Sequence, residues 1–323
     1  MSATPSRHAM LRADIAAMCG ALRPASVGCF DLPDIDLVPI DTLVRGGAET
    51  WFVDSQAGRV EDMLGRHIGR VVGGQPCLAC DPRLHGADVC ASHEHVASEA
   101  DVSCRTLMAI PRAPTHCRHY APGRRLRVIN GDAMRGRSAG FSTRVETVVA
   151  AAPTPEAAVA EALLACERTA ELDVPLPIAD GAFELVISML AMPRMLGQSY
   201  GYFDRLMARR FGRWTAEAGS RLSAVIEQLR VALLRKQLEA FGRELARVTH
   251  PLTGRLYLAT LVESSDDGWL MHTGVGLSFE VLATWFAFDF ESFAPEAFMR
   301  RCDDASVVQS AVLRRKRITQ EAR

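Results

Sequence analysis

Phe183-Glu184-Leu185-Val186-Ile187-Ser188-Met189 is the stretch on which the fold turns. It is β-rich and almost wholly apolar, and Asp180-Gly181 just ahead of it supplies a turn. A strand apolar on both faces must be covered on both faces, which predicts a central position in a mostly parallel sheet. Working outward, Leu126-Arg127-Val128-Ile129-Asn130 and Thr50-Trp51-Phe52-Val53-Asp54 read as further short strands. Residues 144–150 read as strand-like, and residues 76–81 form another short apolar run. After His250-Pro251, strands are expected at 255–262 and 268–273. Thr284-Trp285-Phe286-Ala287-Phe288 is expected to form another, behind a short helix at 279–282.

Helical spacing fills much of the remainder. Met10, Leu11, Ile15, Met18 and Leu22 predict a helix over 7–22, stopped by Arg23-Pro24. A helix is expected from Val60 through Leu64 and beyond. Thr154-Pro155-Glu156 is a cap followed by a first-turn proline, opening the Ala-rich segment 156–170. From residue 200 to about 248 the chain reads as helical, with Val225, Ile226, Leu229, Leu233, Leu238, Phe241 and Leu245 on one apolar stripe. Strands separated by helices predict an α/β, Rossmann-like, doubly wound sheet, mostly parallel, and the closely spaced late strands predict an antiparallel C-terminal edge. The expected organisation is an N-terminal cap segment at 1–45 and one α/β domain at 46–295. That domain is read with a Cys/His-rich insertion at about 83–124 and a helical insertion at about 195–248. A basic tail, containing Arg314-Arg315-Lys316-Arg317, follows at 296–323.

A chain of 323 residues can bury one large core or two modest ones, at roughly 100–200 residues per domain. With 37 basic and 38 acidic side chains the formal net charge is -1, so no overall field draws nucleic acid or an anionic membrane, and general binding to either is not expected. The first residues mix Arg7, His8, Arg12 and Asp14 with apolar side chains, unlike a secretory signal or a spanning helix. Nine cysteines, with Cys19, Cys29 and Cys166 single in apolar stretches, suit reduced buried thiols and a cytoplasmic location.

In a doubly wound sheet, ligands bind beyond the carboxyl ends of the strands, where a turn lets the backbone approach and an acid on the next strand accepts ribose hydroxyls. Four segments stand in the required order: Val53-Asp54-Ser55-Gln56-Ala57-Gly58-Arg59, Cys80-Asp81-Pro82, Asn130-Gly131-Asp132-Ala133, and the run from Leu176-Pro177 through Asp180-Gly181 to Ser188. Together they resemble the cofactor motifs of class I S-adenosylmethionine-dependent methyltransferases. The resemblance implies a methyltransferase-like sheet with S-adenosylmethionine as cofactor. Asp54, Gln56 and Gly58 would belong to the cofactor loop, and Asp81 would hold the ribose hydroxyls. Asp132 and Ala133 would meet the adenine, while Glu184 and Ser188 would flank the methyl-donor pocket. The family loop has glycines two, four and six residues after its acid, where this chain has Gln56, Gly58 and Val60.

The fourth segment continues Ser188-Met189-Leu190-Ala191, without the Asn-Pro-Pro-Tyr or Asp-Pro-Pro-Tyr with which methylases of base amines hold their acceptor. The resemblance therefore implies a small molecule, or a protein side chain, as acceptor. A base for such a transfer could come from His93, His95, Tyr200, Tyr202, His250 or His272. Separately, Cys77, Cys80, Cys90 and His93 have the spacing of a zinc site, although Cys77 and Cys80 flank the apolar run at 76–81, and a knuckle and a strand there exclude one another. Three functions follow as expectations: a methyltransferase acting on a small molecule, a non-catalytic interaction protein on the same sheet, and a zinc-stabilised binding module.

Overall fold

The computed structural model describes residues 6–55, 59, 60, 63, 64, 126–169, 173–189, 191–212, 214, 220–265, 268–271, 277, 278, 299–302 and 306–315. The chain opens with α1 (Arg7–Leu22). The side chain of Ser6 accepts from the Ala9 amide, and Arg23 closes the helix in the left-handed region with its N–H on the Cys19 carbonyl. Strands β1 (Ser26–Phe30), β2 (Glu49–Asp54), β3 (Leu126–Asn130), β4 (Leu185–Met189) and β5 (Arg255–Ser265) follow in the chain. They lie in the order β3-β2-β1-β4-β5, all parallel.

That order reverses direction between β1 and β4, as in Rossmann-type sheets. Beyond β5 the sheet turns antiparallel. The hairpin partner β6 (Gly268–Met271) pairs with the distal part of β5 and with β7 (Leu277–Ser278), and β8 (Met299–Arg301) pairs with β9 (Val307–Arg314), which runs along β5 from Arg255 to Val262. The α/β class, the mostly parallel sheet and its antiparallel C-terminal edge are thus as the sequence predicts. Along β4 every residue is buried, which is the both-faces burial read from its composition.

Alternation along the strands divides the core in two. Cys29, Phe52, Val128, Leu185, Ile187 and Met189 face Leu11 and Ile15 of α1 together with α2 (Ile40–Arg45). Phe30, Val53, Ile129, Val186 and Leu258 face α3 (Arg137–Ala151), α4 (Pro155–Arg168), α5 (Met192–Phe211) and α6 (Arg221–Val248). Helices before the reversal cover one face and those after it the other, giving three layers. Thr154 caps α4, accepting from the Ala157 amide, with Pro155 in the first turn, as predicted. Gly28 is required where it stands. A Cβ there would meet the Phe183 ring at 2.6 Å, and that ring packs edge-on against Phe30 and Trp51.

Several expectations are corrected. Residues 1–45 are not a separate cap, because Ser26–Phe30 lies between β2 and β4 in the middle of the sheet. Residues 144–150 are helical, part of α3; Phe141, Val145 and Val149 recur every four residues and are buried on one face. The helices read as an insertion at 195–248 are the crossover from β4 to β5, integral to a parallel sheet. Residues 296–323 are not merely a tail, since β9 is buried beside β5. The Cys/His-rich stretch at 83–124 and the run 284–288 lie outside the described residues.

Two polar clusters fasten the layers. Asp14 of α1 accepts from the Tyr257 hydroxyl of β5 at 2.7 Å and pairs with Arg300 of β8. Burial pushes the Tyr257 hydroxyl far above its ordinary range, so it remains a donor. Glu244 of α6 has a wholly buried side chain. It accepts from Arg135 ahead of α3, from Arg247, and from the Leu176 amide at 3.0 Å. When Glu244 is removed, Arg135 keeps Asp173 and Arg247 keeps Asp180, so the loss is that of the buried hydrogen bonds, about 1–3 kcal/mol. Glu244→Ala should lose that much in urea unfolding. Glu239→Ala, which breaks a solvent-exposed pair with Arg235, should lose about 0.5 kcal/mol or less.

Candidate functional site at the reversal of the sheet

The crevice beyond β1 and β4 is where a sheet of this order exposes backbone and side chains to a ligand. Its lining comprises Asp31, Asp54, Arg59, Met134, Ala191, Met195 and Gln198. Asp31 follows the last residue of β1 with φ +49°, a left-handed step that aspartate tolerates better than most side chains. Its amide donates to the Val53 carbonyl at 2.9 Å, and the Gly131 amide donates to the Asp54 carbonyl at 3.1 Å. The ends of β1, β2 and β3 are thereby stitched side by side, each with an acid: Asp31, Asp54 and Asp132.

Asp54 is buried at the end of β2 and pairs with Arg59, on the helical segment that follows. Asp132 opens the turn between β3 and α3. Its Oδ1 accepts from the Met134 amide at 2.9 Å, while its Oδ2 is buried with no hydrogen-bond partner among the described residues. Burial pushes this carboxyl above its ordinary range, against the lowering effect of the Met134 and Gly136 amides. Beside it Ala133 is buried among α-layer side chains. Chemically, the three acids offer acceptor oxygens to hydroxyl or amine donors. With the Arg59 side chain in place, the cavity is about 20 Å³, room for a water or two.

The structure gathers some of the expected residues and disperses others. Asp54 and Asp132 come together, although Asp54 ends the second strand of the sheet, not the first. Ser188 is fully buried in β4, level with Phe30 of β1 and one residue short of the strand end, its Oγ unpartnered among the described residues. Glu184 is at the wrong end. It precedes β4 and accepts from the Ala25 amide at 2.8 Å, joining the amino ends of the strands. Gln56, Gly58 and Asp81 lie outside the described residues, as do Cys77, Cys80, Cys90 and His93.

Among the proposed bases, His250 is also at the amino ends, its N–H on the Phe183 carbonyl and its Nδ1 beside Thr253. Tyr202 donates to Glu146, and Tyr200 packs on Phe203 beneath Arg230. Neither lines the crevice. His95 and His272 are outside the described residues. Among the described residues no cysteine lines the crevice, and burial pushes Cys19 to about 11 and Cys166 to about 12.

Asp31, Arg59, Met134, Met195 and Gln198 were not found by reading the sequence. Asp31 carried a signal, an acid closing the short apolar run Val27-Gly28-Cys29-Phe30. The other four reach the crevice only through the packing of separate elements. Compared with models of known protein families the chain matches none, and no curated protein matches it.

The raised Asp132 carboxyl has a thermodynamic signature. Where the folded protein holds a proton more tightly than the unfolded chain, stability falls as pH rises through the interval between the two values. Asp132→Asn keeps an oxygen for the Met134 amide and removes the buried charge. Relative to wild type it should gain stability as pH rises from below the ordinary carboxylate range to neutral, as read by urea unfolding at both conditions.

Proposed function

We propose that the protein is an S-adenosylmethionine-dependent methyltransferase of the class I type, acting on a small molecule, with its cofactor in the crevice at the reversal of the sheet. The observation that carries this reading is the row of acids at the ends of three adjacent parallel strands, one of them with a buried, unpartnered oxygen. The antiparallel edge formed by β9 agrees with the same resemblance.

The strand order alters the residue roles that the motifs alone suggested. Asp31, at the end of the strand beside the reversal, takes the place of the cofactor-loop acid. Asp54, on the next strand, is the acceptor for the ribose hydroxyls, a role first given to Asp81. Asp132 keeps its role toward the adenine amine, its unpartnered Oδ2 being shut from solvent until the crevice opens. The cofactor supplies an activated methyl group; the chain's part is to bind, orient and exclude water. Methyl transfer of this kind draws most of its rate from positioning, so the lack of a histidine or thiolate among the described crevice residues is compatible with it.

A second reading, a non-catalytic interaction protein on the same sheet, is favoured by one observation. The segment after β1, Asp31-Leu32-Pro33-Asp34-Ile35-Asp36, has no glycine where backbone must approach a ligand.

Titration calorimetry with S-adenosylhomocysteine separates the two. The methyltransferase reading expects micromolar binding, lost in Asp54→Asn and weakened about tenfold or more in Asp132→Asn through loss of one charge-assisted hydrogen bond. Asp132→Asn should therefore bind more weakly while gaining stability relative to wild type as pH rises. Absence of binding at millimolar ligand, in wild type and in variants at Arg59 alike, would leave the interaction-protein reading.

A further inference from the structure

The crevice contains an occupant supplied by the chain itself. Arg59 donates through Nη2 to the Asp54 carboxylate and to the Leu32 carbonyl at 2.9 Å, and through Nη1 to the Pro33 carbonyl at 3.4 Å. Its acceptors come from two different strand ends, the segment after β1 and the last residue of β2. One guanidinium thus spans the gap between them. The Asp54 side chain is 5% exposed and that of Arg59 28%, so the carboxylate is shut in and the cation above it is within reach of solvent.

We infer that Arg59 is an intramolecular competitor for the nucleoside end of the crevice. A ribose presents two hydroxyl donors, and the guanidinium presents N–H donors to the acceptors those hydroxyls would use. The inference rests on the crevice being a nucleoside site, and it says how that site is regulated. Ligand enters by displacing the Arg59 side chain, which can swing on its long stem without any movement of the strands. Apparent affinity is then the intrinsic affinity reduced by the fraction of molecules in which Arg59 is withdrawn. The Arg59 side chain is among those that line the cavity of about 20 Å³.

The test compares S-adenosylhomocysteine binding by calorimetry in wild type, Arg59→Ala and Arg59→Gln. Arg59→Ala should bind about tenfold more tightly than wild type or better, and Arg59→Gln, which keeps one amide donor, should fall between. If Arg59→Ala does not fold because Asp54 is left without its cation, Arg59→Gln carries the comparison. Millimolar methylguanidinium should weaken binding to Arg59→Ala by refilling the vacated acceptors, and should leave wild type unchanged. Wild-type binding with equal or weaker binding in both variants would overturn the competitor role and leave the nucleoside reading standing, Arg59 then being a contact for the ligand. Tighter binding that methylguanidinium does not touch would also overturn it, because the gain would come from space alone. No binding in any of the three proteins would overturn both.

Discussion

A parallel sheet carries no solvated face, and that constraint governs the rest of this molecule. Each parallel strand must be roofed on both sides, so the connections become helices, and the chain switches from one face to the other as the sheet grows outward from β1 and β4. The divided core follows directly. Leu185, Ile187 and Met189 point to one layer and Val186 and Ser188 to the other. The point at which the connections change sides is also where no helix can cover the strand ends, and it is there that Asp31 and Asp54 meet.

Much of this was legible in the residues. The 7–22 helix, its stop at Arg23-Pro24, the cap at Thr154 and the strands at 126–130 and 183–189 all declare themselves through local signals. Local signals also mislead. The Val-rich stretch at 144–150 has β-branched side chains, yet its apolar residues repeat at four and belong to a helix. Ser26–Phe30 is short and interrupted by Gly28, and it falls within the cap segment expected at 1–45. Only its neighbours on both sides, and the Phe183 ring over Gly28, make it a central strand. Val307–Arg314 was hidden by the basic residues that follow it.

The candidate site divides the same way. An acid ending an apolar run is visible in one dimension, so Asp54 and Asp132 could be named. The order of strands is not visible, and it is the order that decides which acid stands beside which. Glu184 illustrates the cost: within its motif it looks equivalent to Ser188, but a strand rising from Glu184 to Met189 carries the two to opposite ends of the sheet. Arg59 stands only five residues from Asp54, but its other acceptors are carbonyls 26 and 27 residues away in the chain, which no local pattern reveals.

The clasp formed by Asp14, Tyr257 and Arg300 bears on how the protein is made. Asp14 and Arg300 are 286 residues apart, and β5 remains an open edge until Val307–Arg314 pairs with it. During synthesis, the first helix and the whole parallel half of the sheet emerge long before the strand that seals them. An exposed edge of this kind invites pairing with other chains. Pairing of Val307–Arg314 closes that edge, so the interval between synthesis of β5 and of β9 is the one in which the sheet is most open to wrong partners.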